Sequence, residues 1–72
     1  MTADLLCRIG AALYGEHCHS ELARDLGTVR RRMQLWTAGD ARLPQTLSRN
    51  LARLVADRHD TLGKLYRELA SG

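Results

Sequence analysis

Leucine and isoleucine return every three or four residues along this chain, and glycines cut the pattern into short runs. No other feature constrains the fold as strongly. Leu5, Leu6, Ile9 and Leu13 fall on one side of a helix, because successive helical side chains turn by roughly 100°. Thr2 is placed to cap that helix and Gly15 to stop it. Leu22, Ala23 and Leu26 predict a second helix that begins at about Glu16 or His19 and breaks at Gly27. Thr28 can cap a third, roughly Thr28 to Thr37, which ends before the loop AGDARLP. Pro44 suits the first turn of a fourth helix. From there Leu47, Leu51, Leu54, Val55, Leu62, Leu65 and Leu69 keep a helical period to the C-terminus. Asp60 or Thr61 can cap a new helix within RHDTLG, and Gly63 weakens a continuous one. The expectation is therefore a helix of about 14 residues, a turn or kink, and a short last helix. β-branched residues are scarce and Pro44 is the one proline, so strands are disfavoured. The reading is all-α: one domain over residues 1–72 with four or five helices.

A chain of 72 residues has a marginal core, so tight helix packing or self-association is expected to contribute. The hydrophobic fraction of 44% is ordinary for a folded domain. No uncharged run is longer than Ile9–Gly15, too short for a membrane span. The N-terminus also lacks the basic lead and apolar stretch of a signal peptide. A soluble, cytoplasmic protein with no membrane partner is expected. Cys7 and Cys18 give no disulfide framework. His17, Cys18 and His19 are adjacent rather than at ligand spacing, and Cys7 and His59 do not complete a metal site. Cys18 is better read as filling an apolar slot between helices. No nucleophile–base arrangement and no glycine-rich phosphate loop is present, so no catalysis, cofactor or small-molecule ligand is expected.

The net charge is only +3, with a pI near 9.4. Its distribution is more telling. Residues 24 to 58 hold eight arginines and three acids, a local excess of 8 − 3 = +5 that leaves −2 for the rest. Three of those arginines are consecutive, in TVRRRMQLW. With Met33 at the centre of the inner face, Val29 and Trp36 fall within about 60° of it and form a buried stripe. Arg31, Gln34, Leu35 and Ala38 then face away, with Arg30 and Arg32 on the flanks. Three adjacent arginines alone describe a solvated helix face. Beside an anchoring Met and Trp, they become a set offered outward.

In context, SELARDLGTVRRRMQLW resembles the helix-turn-helix of lambda-repressor/Cro-type DNA-binding domains of bacteria and phages. The likeness rests on Ala23, on Gly27 four residues later, on inward Leu22 and Leu26, and on Met33 and Trp36. Residues of about 19 to 38 carry the motif, and a looser likeness covers residues 5 to 60. Thr28-Val29 stands where the family usually has Val-Ser, which implies a recognition helix whose start is shifted by one residue. The resemblance implies a sequence-specific regulator of transcription whose third helix enters the major groove of double-stranded DNA. It implies Arg30, Arg31 and Gln34 as base readers and Leu35 against a thymine methyl. It further implies His19, Ser20, Thr28, Arg32, Thr37 and Arg42 as phosphate contacts.

The leucines of residues 44–70 exceed the obvious needs of so small a core. Leu54, Leu62, Leu65 and Leu69, with Leu51, suggest a homodimer surface, which would suit an inverted repeat and repression by occlusion of a promoter. A fifth helix folded back on Leu5, Ile9 and Leu13 is the intramolecular alternative. From another functional class, the motif could be a scaffold for protein interaction, as in an antitoxin or phage adaptor.

Overall fold

The Thr2 hydroxyl accepts the backbone N–H of Leu5 at 3.1 Å, satisfying one of the free donors at the start of α1, Ala3–Tyr14. The computed structural model describes all residues, Met1–Gly72. A 3₁₀ turn, Gly15–His17, leads from α1 into α2, Cys18–Asp25. A turn then leads to α3, Arg30–Ala38, and a loop to α4, Gln45–Ser71. There are no strands, so the all-α expectation holds.

The turn between α2 and α3 closes by two hydrogen bonds. Thr28 N–H donates to the Ala23 carbonyl at 2.9 Å, and Gly27 N–H to that of Arg24 at 3.2 Å. This pattern needs a left-handed residue at its centre, and Gly27 supplies it at φ 70°. The same bonding ends α3, where Asp40 N–H reaches the Leu35 carbonyl at 2.9 Å.

The core gathers one face from each helix: Leu6 of α1, Leu22 and Ala23 of α2, Met33 and Trp36 of α3, and Leu47 and Leu51 of α4. Leu6, Leu22, Met33 and Leu51 are essentially inaccessible, each worth about 1.5–3 kcal/mol of burial. Cys18 is buried too. It packs on Gly10, where an added Cβ would lie 3.0 Å from its Sγ and 3.2 Å from its Cβ. The close approach of α1 and α2 thus depends on Gly10.

Several expectations are corrected. The break within RHDTLG does not form, and α4 is one helix of 27 residues. A mid-helix glycine costs only about 1 kcal/mol, and neither Asp60 nor Thr61 is compelled to leave helical geometry to cap. No fifth helix folds back on α1, so Leu62, Leu65 and Leu69 stay exposed. Leu54, expected at the dimer surface, is half-buried against the core of its own chain. Thr28 does not cap α3: Val29 holds the cap position in extended conformation, with no side-chain bond. Val29 is 63% exposed rather than buried. It precedes the first helical residue, so the helical rotation that placed it beside Met33 does not apply. Pro44 caps α4 from outside its first turn.

Only the first half of α4 rests on the other helices. Arg58 marks the last tie, its Nη2 3.0 Å from Asp25 Oδ2 at the end of α2. Tyr14 donates its hydroxyl to the same carboxylate oxygen. Burial raises the Tyr14 pKa above its ordinary value near 10, and the bond to Asp25 adds to the rise. Beyond Arg58 the helix projects, and the molecule measures 46 × 23 × 20 Å. No helix is long and apolar enough to cross a membrane.

Candidate nucleic-acid interface

The helix α3 is fixed from beneath. Met33 is inaccessible and Trp36 is 8% exposed, both inside the core. That seating leaves Arg30, Arg31, Arg32, Gln34 and Leu35 exposed, as their positions on the helix require. Leu35 is 42% exposed, an apolar side chain among charged ones.

The arginines differ in how their charge is used. Arg24 pairs with Glu21 and approaches Asp25, and Arg58 pairs with Asp25 and with Asp57 at 3.4 Å. Arg8 pairs with Asp4 at 3.0 Å. Arg30, Arg31 and Arg32 make no ion pair within the chain, nor do Arg42, Arg49 and Arg53. The local excess of positive charge is therefore concentrated on α3, on the loop after it and on the first half of α4. Unpaired guanidinium groups keep all their donors free for phosphate or base edges.

The flanking residues form three groups. His19 Nε2 lies 3.0 Å from Thr37 Oγ1, and the Thr37 hydroxyl donates to the Gln34 carbonyl at 3.1 Å. The start of α2 is thereby tied to the end of α3. His19 and Thr37, placed separately by the sequence, are partners of each other and half-buried. Ser20 shares a polar depression of about 320 Å³ with Arg30, Glu16 and Glu21. The carboxylates there make this the least positive edge of the face, although Arg24 offsets Glu21. Thr28 and Arg32 line a cleft of about 210 Å³ between the inter-helix turn and the start of α4. Arg42 stands exposed on the loop before α4, apart from these groups.

Thr46 and Asn50 line the cleft of Thr28 and Arg32 as well, and the sequence reading missed them. They lie four apart on α4, on the flank of the Leu47–Leu51 stripe. That spacing was legible, but the cleft opposite comes from how α4 docks. No group of three or more His, Cys, Asp or Glu side chains is placed to hold a metal ion. Comparison of the chain with protein-family models, with curated proteins and with solved structures finds no match.

Proposed function

We propose that this chain is a sequence-specific double-stranded DNA-binding regulator of transcription, a repressor that binds an inverted repeat as a homodimer. The observation that carries the reading is the division of α3. Met33 and Trp36 are held in the core, while three consecutive unpaired arginines, Gln34 and Leu35 stand free on the outer side. An arginine can bind the O6 and N7 of guanine together, and a glutamine can do so at adenine N6 and N7. In this reading Arg30, Arg31 and Gln34 read bases, and Leu35 meets a thymine methyl. Arg32, Thr28, Ser20 and Arg42 hold phosphates, joined by Thr46 and Asn50 across the cleft. The His19–Thr37 pair positions one end of α3, and either side chain can also meet a phosphate at its rim.

A selection of bound sequences from a random duplex pool tests this directly. Recovery of a palindromic consensus is expected, with affinity that falls steeply as salt rises. Uniform recovery of all sequences would reject base reading.

One observation favours a second reading, a protein-interaction module built on the same motif: the exposed leucines of α4. A partner held by them would bind with little dependence on salt, unlike DNA.

A further inference from the structure

The stripe of α4 that packs on the body continues past the body's edge. Leu47 and Leu51 are buried, Leu54 is half-covered, and Arg58 is tied to Asp25. Leu62, Leu65 and Leu69 follow at the same spacing, yet they are 62%, 49% and 82% exposed, with Tyr66 exposed beside them. Alongside the covered part of the stripe lies an apolar groove of about 230 Å³. Met1, Leu5 and Ile9 wall it on one side, and Leu51, Ala52 and Val55 of α4 on the other. The chain therefore carries an apolar ridge and an apolar groove along the same helix, neither of them covered.

We propose that a second copy of this chain covers both. The two α4 helices run antiparallel about a twofold axis near residue 60, and the Leu62–Leu65–Leu69 ridge of each copy lies in the groove of the other. The inference rests on the homodimer part of the reading above, but not on DNA binding. Val55 and Leu65 stand equally far from residue 60, as do Leu51 and Leu69. Leu65 therefore meets Val55 of the other copy, and Leu69 meets its exposed Ala52, above the buried Leu51. Such reciprocity is what a twofold contact demands. A parallel pairing would set each Arg58 beside its own counterpart and leave the groove open. The exposed parts of Met1, Leu5, Val55, Leu62, Leu65, Tyr66 and Leu69 amount to roughly 700 Å² per chain, close to one side of a standard interface.

Sedimentation equilibrium of the whole chain at micromolar concentration tests the proposal. A dimer is expected, and a monomer would overturn it. The double variant Leu65→Glu, Leu69→Glu and the single variant Leu5→Glu should each give a monomer with its helical circular dichroism intact. The three side chains are exposed, so the fold does not depend on them. Should Leu5→Glu fail to fold, Ala52→Glu on the opposite wall takes its place. A dimer that survives the ridge or groove changes would overturn the surface. Direction is read by oxidation in a Cys7→Ser background: Ala52→Cys and Leu69→Cys chains, mixed, should crosslink to each other. Leu69→Cys linking to itself would overturn the antiparallel arrangement. No DNA enters these measurements. A dimer that binds no duplex would sink the DNA reading and leave the surface standing, and a duplex-binding monomer would do the reverse.

Discussion

Replacing Met33 by alanine removes the side chain on which the orientation of α3 depends. Met33 is inaccessible, so the lost thioether leaves a cavity among Leu6, Leu22 and Trp36, and the expected cost is about 2–5 kcal/mol. A domain of 72 residues holds about 4–11 kcal/mol in total, so the change removes a large share of it. At about 4–8 °C per kcal/mol for a domain of this size, a loss near 3 kcal/mol lowers Tm by roughly 10–25 °C. Leu35, two residues on and 42% exposed, is the internal control. Leu35→Ala should cost less than about 1 kcal/mol, because little apolar surface returns to water and alanine favours the helix slightly. Urea unfolding at one fixed protein concentration measures both, with the fluorescence of Trp36, the chain's single tryptophan, as the probe. Equal costs for the two substitutions, or a larger one for Leu35, would refute the assignment of inner and outer faces. The proposed DNA interface would fall with it.

Four further outcomes are expected. Arg31→Ala should weaken binding to a selected duplex by about 1–3 kcal/mol with a smaller loss on random duplex, measured by titration at fixed salt; equal losses would remove Arg31 from base reading. Gly10→Ala should destabilise by about 1–2 kcal/mol despite its gain in helix propensity, because the new methyl presses on Cys18. Gly63→Ala meets nothing within 4 Å and should instead increase protection of the α4 amides against hydrogen exchange, by about 0.5–1 kcal/mol. Tyr14 holds its proton more tightly in the folded chain, so its contribution is present below its ordinary value near 10 and is lost as pH rises through the raised value. Urea midpoints across that alkaline range should therefore fall more for the native chain than for Tyr14→Phe.

The inner face of α2 and the anchoring pair of α3 were legible because each lies within a regular helix, where periodicity states which side a residue takes. Val29 was misjudged for the converse reason: it stands one residue outside the helix whose rotation was applied to it. The break in α4 was misjudged because capping residues and a mid-helix glycine express preferences of about 1 kcal/mol, which the helix-forming residues around them outweigh. Thr46 and Asn50, the His19–Thr37 bond, the fit of Gly10 to Cys18 and the Asp25–Arg58 pair join residues far apart in the chain. No local pattern announces such contacts.

The order of residues alone settled that the chain is helical throughout and that Met33 and Trp36 point in while Arg31, Gln34 and Leu35 point out. The cause is local: side-chain direction follows from backbone rotation within each helix. The order of residues did not settle where α4 loses its cover. Its apolar stripe runs unbroken from Leu47 to Leu69, but α1, α2 and α3 are too short to lie beneath all of it. How far the other three helices reach along α4 decides which leucines are core and which remain for a partner, and only the packed molecule has that length.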